Sequence, residues 1–242
     1  PDSKMAPPPL AIYKQAEAWL DEHTGYASVS GFHEFLYEPD KPIYGDLSEW
    51  AYHQRGCLAY VIELWDLFKQ LGIERMKPFV DHYSKLGRKD FRALAKMDRE
   101  VNEGRVFRRW KKVAHPQLGE VEVGGFDGRV GIWNPPLSKL PGTCAAQSAA
   151  FLRVAALLPC VRLEVAGKEA VGAGHTRIEL RIANTGYLAT CGLPSARRLP
   201  LSEPLRLTTA GQGVKLVAPA EAVVEIGHLD GWGAGLHNGS PN

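Results

Sequence analysis

CLAYVIELW, Cys57 to Trp65, is the stretch on which the fold turns. It follows Gly56, is short, almost wholly apolar and partly β-branched, and so predicts a fully buried strand. Upstream, Asp46 is placed to cap a helical segment running through Tyr52. Before that, Ser28 to Tyr37 (SVSGFHEFLY) alternates aromatic and polar residues like a strand, and Glu38-Pro39-Asp40-Lys41-Pro42 makes a loop. Ala11 to His23 places Ile12, Ala16, Trp19 and Leu20 on one helical face, and Thr24-Gly25 stops it. The first nine residues, with three consecutive prolines, read as a loop. Downstream, Phe79, Tyr83, Phe91, Leu94 and Met97 recur at helical spacing, so roughly Ile73 to Trp110 is expected to be helical with solvated charged faces.

The pattern changes at His115-Pro116. Glycine and proline then punctuate short alternating runs: EVEVGG, CVRLEVAG, HTRIELRIANTG, PLRLTT, GVKLVA and AVVEIG, with one helical segment from Cys144 to Leu158. In the third run Ile178, Leu180 and Ile182 point one way and Arg177, Glu179 and Arg181 the other, which predicts a half-buried antiparallel strand. The expected organisation is an α/β portion over residues 1–114 and a small β-sandwich-like module over 115–242.

The 242 residues carry 29 basic and 27 acidic side chains, a net charge of +2 that names no partner; a nucleic-acid surface would want a clear basic excess and interleaved aromatics. No apolar run reaches the roughly eighteen residues of a membrane span. The expectation is therefore no nucleic-acid and no membrane partner. The chain opens on Pro1 without a signal-like segment, and the expectation is a piece of a longer protein. Cys57, Cys144, Cys160 and Cys191 form no CxxC pair; free thiols are expected, a Cys144–Cys160 bridge requiring that their backbones meet. No HExxH, HxxE or HxH occurs, nor a Walker loop, a GxGxxG after a strand, or a GxSxG elbow.

Glu63 stands out, because a carboxylate inside VIELW is costly unless paired, neutralised or exposed in a cleft. Two readings stand. It is either a strand-terminal structural carboxylate bonded to an arginine or a backbone N–H, or a general base on a rigid element. Trp50, Tyr52 and Tyr60 read as core or cleft wall.

Taken as a unit, residues 24–65 resemble the last part of the catalytic domain of zinc carboxypeptidases of the carboxypeptidase A-like family. The carrying features are Tyr37 in FLYEP, then Gly45, then Glu49-Trp50-Ala51-Tyr52, then Ile62-Glu63-Leu64. Glu49 stands where the family usually has Asp, and Trp65 where many members have Arg. HPQLGEVEVGGFD (His115 to Asp127), NPP (Asn134 to Pro136) and NTGYLAT (Asn184 to Thr190) resemble the β-rich module of a bacterial branch.

The resemblance implies the C-terminal portion of a mixed-sheet zinc-carboxypeptidase domain followed by that module. It implies Glu63 as the catalytic base toward a zinc-bound water, and Tyr37 as a substrate-binding phenol on a closing loop, with Tyr44 competing for that role. It implies Zn2+ as cofactor, a peptide substrate, and an upstream part of the same domain carrying the metal ligands, so that this chain alone hydrolyses nothing. The other expectation, from a different class, is a non-catalytic binding module on a peptidase-derived scaffold.

Overall fold

The computed structural model describes residues 5–29, 38, 41, 43–74, 76, 84–213 and 215–233. Tyr37, most of the expected strand at 28–37, and Phe79 and Tyr83 lie outside them. In chain order the elements are helices α1 (Pro7–Thr24), α2 (Leu47–Arg55), α3 (Leu67–Leu71) and α4 (Arg88–Val101), strands β1 (Phe107–His115) and β2 (Gly119–Phe126), and helix α5 (Leu140–Ala155). Strands β3 (Val161–Gly172) and β4 (His175–Asn184) follow, then a 3-10 turn at Pro194–Arg198 and strands β5 (Leu205–Thr208) and β6 (Val223–Gly227). The described strands pair as three antiparallel two-stranded ladders, β1–β2, β3–β4 and β5–β6. The chain divides into two compact units, one drawing on Trp19–Ile43 and Val61–Phe151, the other on Asp2–Ala18, Tyr44–Tyr60 and Leu152–Asn242.

The first unit has its core in Leu67, Leu94 and Val106, with Trp65, Leu71, Met97 and Ile132 packed against them. Here the expectation of one helical run to Trp110 is corrected. α4 ends at Val101, and Phe107 to Trp110 belong to β1. The cause is Asp98, only 1% exposed, whose carboxylate accepts from the Val106 amide at 2.9 Å, the Phe107 amide at 3.0 Å and Asn102 Nδ2 at 2.9 Å. The Gly104 amide donates to the Asp98 carbonyl at 2.9 Å, so the chain reverses within a few residues of the helix end. A carboxylate that gathers two backbone donors beyond its own helix outweighs helical periodicity, because those donors would otherwise be buried without partners.

The β1–β2 register skips between Arg108 and Lys111, a bulge. Gly124 sits against it so closely that a Cβ there would lie 2.6 Å from the Trp110 Cα, which explains the glycine in EVEVGG. The expected domain boundary near 115 falls in this hairpin's turn, where His115 Nδ1 accepts from the Gln117 and Leu118 amides at 3.2 and 3.3 Å. Asn134 closes the next loop: its side chain donates to the Arg129 carbonyl at 2.8 Å and its own carbonyl accepts from the Gly131 amide at 2.7 Å.

In the second unit, α2 forms as expected. Asp46 caps it, its carboxylate accepting from the Glu49 amide at 2.8 Å, and Gly56 ends it at φ 63°. The Ser48 hydroxyl and the Glu49 amide hold the Asp46 carboxyl below its usual value. The NTGYLAT motif is a knot. Asn184 Oδ1 accepts from the Cys160 and Gly186 amides at 2.9 and 3.0 Å, its Nδ2 donates to the Leu188 carbonyl at 2.8 Å, and Thr190 Oγ1 accepts from the Leu229 amide at 3.0 Å. Tyr187 is buried edge-on to Trp232, ring centres 4.6 Å apart.

The expected half-buried strand is β4, but its apolar face is open: Ile178 is 56% and Leu180 37% exposed. Among the described strands β4 pairs with β3 alone, and alternation does not by itself supply a covering layer. All four cysteines are free thiols. No helix among the described residues is long and apolar enough to cross a membrane.

Candidate functional site

CLAYVIELW is not a strand. Residues 56–66 belong to no ladder, and Glu63, expected within a buried strand, is exposed. The reason lies in what occupies the edge of this segment. The Tyr13 hydroxyl donates to the Cys57 carbonyl at 3.2 Å and accepts from the Ala59 amide at 3.0 Å. The Tyr26 hydroxyl does the same seven residues on, donating to the Leu64 carbonyl at 3.0 Å and accepting from the Asp66 amide at 3.3 Å. In an extended chain the carbonyl of one residue and the amide of the second after it lie on the same edge. Each phenol therefore fills a place that a ladder partner would otherwise take.

Burial pushes the Tyr13 phenol up to about 12, the Ala59 amide pulling the other way. Tyr26 is raised for the same reason, opposed by the Asp66 amide. Both hydroxyls stay protonated and so keep donating across the neutral range. Tyr13 also anchors an aromatic group, with Tyr52 edge-on at 5.9 Å and Tyr60 tilted at 5.2 Å, and the Tyr60 hydroxyl donates to the Tyr13 carbonyl at 2.7 Å. Tyr52 and Tyr60 thus serve as packing. Trp50 is exposed and carries the Arg55 guanidinium over its ring at 5.5 Å.

Glu63 stands beside the second clip. Trp65, two residues on, donates its indole N–H to the Gly131 carbonyl at 3.3 Å and packs on the first unit's core. The backbone around Glu63 is therefore fixed while its carboxylate faces solvent, and no hydrogen bond or ion pair holds that carboxylate among the described residues. Of the two candidate phenols, Tyr44 is described and exposed, and Tyr37 lies outside the described residues. No three His, Cys, Asp or Glu side chains among the described residues lie together so as to hold a metal. The residues described in this chain do not fit a zinc site.

Helical spacing over residues 73–110 conceals one further arrangement. A cleft of about 860 Å³ lies between α4 and the β1–β2 hairpin, lined by Arg99, Arg109 and Lys111 around Phe107, Val113 and Val123. From Arg105 to Val113 every residue is cationic or apolar, so no period of two is legible there, and the bulge between Arg108 and Lys111 interrupts the alternation.

The described fold defines a mixed α/β protein with small antiparallel hairpins. A family model described as a domain of unknown function (DUF8731) matches residues 160–240, the stretch from β3 through the NTGYLAT knot to β6 and beyond. No curated protein and no solved structure that was compared matches the chain.

Proposed function

We propose that these 242 residues are the C-terminal portion of a zinc carboxypeptidase-like protein that cleaves C-terminal peptide or related amide bonds. On this reading Glu63 is the general base, Tyr37 is the substrate-loop phenol, and the metal ligands come from chain outside these residues. The observation that carries the proposal is the setting of Glu63: an exposed carboxylate with no partner among the described residues, on backbone pinned by Tyr26 and Trp65. A structural carboxylate would be tied to a cation or an amide. A base needs the reverse, an oxygen free to take a proton and a fixed position from which to take it. Its task is to accept a proton from the attacking water and return it to the leaving amine.

A second reading has its own support: a non-catalytic binding module on a peptidase-derived scaffold. Taken alone, the described residues favour it, since they assemble no metal site and Asn184, Thr185 and Thr190 of NTGYLAT bond backbone groups. The test is the intact mass and zinc content of the protein from its source, followed by Glu63→Gln in that protein. A mass well above 26.6 kDa with one zinc per chain, and loss of hydrolysis of a blocked dipeptide in Glu63→Gln, is the expected result. A mass of 26.6 kDa without zinc transfers the function to the binding module.

A further inference from the structure

The strand concealed by helical spacing holds the densest run of cations in the chain, Arg105, Arg108, Arg109, Lys111 and Lys112 within eight residues. Their partners sort them. Arg105 pairs with Glu103 at 2.9 Å, Arg108 lies 3.7 Å from Asp127, and Lys112 pairs with Glu120 at 2.9 Å. The Asp127 carboxyl is held well below its usual range by Arg129, so it stays charged beside Arg108. Arg109 and Lys111 have no ion pair among the described residues, nor does Arg99 on α4.

These three unpaired cations line one cleft. Lys111 lies opposite Val123 and Val113 opposite Val121 on one face of the hairpin, while Lys112 opposite Glu122 lies on the other. The apolar members of the lining are Phe107, Val113 and Val123, each partly exposed. Two acids also line the cleft: the oxygens of Asp98 are already occupied by the Val106 and Phe107 amides and Asn102, and Glu103 is paired with Arg105.

We infer that this cleft binds an extended acidic peptide in which carboxylates alternate with apolar side chains. The carboxylates meet Arg99, Arg109 and Lys111, and the apolar side chains meet Phe107, Val113 and Val123. Guanidinium groups suit carboxylates because they donate in a planar fork. A nucleic acid fits less well: Phe107 is the only aromatic ring in the lining, and single strands bind on a succession of rings. The inference concerns a surface separate from Glu63 and stands whichever reading of Glu63 holds.

The test is fluorescence anisotropy of the whole 242-residue chain with a fluorescein-labelled octapeptide alternating glutamate and leucine. A lysine–leucine octapeptide and octathymidylate serve as comparisons. Saturable binding of the acidic peptide that weakens with added salt is expected. The combined Arg99→Glu, Arg109→Glu and Lys111→Glu variant weakens it about tenfold or more, and Lys112→Glu leaves it unchanged. If circular dichroism shows that the charge reversal disturbs the fold, the corresponding triple glutamine variant takes its place, with the same direction expected. The inference is overturned by absence of saturable binding, by octathymidylate binding as tightly, or by Lys112→Glu weakening the peptide as much as the triple variant.

Discussion

The Tyr13 hydroxyl donates to the carbonyl of Cys57 across 44 residues of sequence and, through the same oxygen, receives the amide of Ala59. Tyr26 repeats the geometry at Leu64 and Asp66. Two side chains from the N-terminal region thus satisfy backbone groups that CLAYVIELW would otherwise offer to a neighbouring strand. The segment is held at both ends without being part of a sheet, and Glu63 owes its exposure to that arrangement.

Removing one phenolic oxygen tests the clip directly. Tyr13→Phe keeps the ring against Tyr52 and Tyr60 but leaves the Cys57 carbonyl and the Ala59 amide without their partner. A loss of about 1–3 kcal/mol is expected in urea unfolding. Tyr26→Phe should cost less, because Tyr26 is only half-buried and water can replace its oxygen.

The same phenol sets an alkaline limit. In the unfolded chain Tyr13 ionises at its ordinary value of 10.0, and in the folded chain at about 12. The group favours folding fully below pH 10, and that contribution is lost as pH rises toward 12. Each unit in this window removes about 1.4 kcal/mol at most. Stability measured from pH 9 to 12 should fall in the wild type and fall less steeply in Tyr13→Phe.

Glu63→Gln should leave stability within about 0.5 kcal/mol of wild type, since the carboxylate is exposed and without a partner among the described residues. A clear destabilisation in thermal or urea unfolding would show a structural carboxylate and remove the support for its role as a base. The stability measurement is independent of the activity assay.

Local signals in this sequence were legible and tertiary ones were not. Asp46 and the alternating runs from Val161 to Asn184 identify a capped helix and paired strands, because caps and period-two spacing are properties of a few neighbouring residues. CLAYVIELW misleads because apolar composition says that a segment seeks burial, not that a strand lies beside it; the answer was held by Tyr13 and Tyr26. The run to Trp110 misleads because one aspartate overrides a helical period. At the candidate site, Glu63 stands out in the sequence only because its segment reads as a buried strand, a cost that disappears once the carboxylate is exposed, and the cleft with Arg99, Arg109 and Lys111 needed the true end of α4.

Gly56 offers a stricter test of local geometry. It sits at φ 63°, and a Cβ there would lie 2.2 Å from the Ala196 Cβ. Gly56→Ala therefore combines a left-handed backbone penalty with a clash, and about 2–4 kcal/mol of destabilisation is expected by urea unfolding.

Asp98 should be the most sensitive polar position in the first unit. Its two oxygens take three donors, two of them the backbone amides that turn the chain from α4 into β1. Asp98→Asn keeps the shape but turns one acceptor into a donor that must face an amide or the Asn102 side chain, and Asn102 is itself buried. Asp98→Ala leaves the Val106 and Phe107 amides unpaired, Val106 being fully buried in the core. Losses of about 3–5 kcal/mol are expected, comparable to breaking a buried charged network. Hydrogen exchange discriminates this role from simple loss of packing. The Val106 and Phe107 amides should lose protection in Asp98→Asn before the ladder amides of β3 and β4 do. Retained protection at those two residues would show that the turn holds itself without the carboxylate.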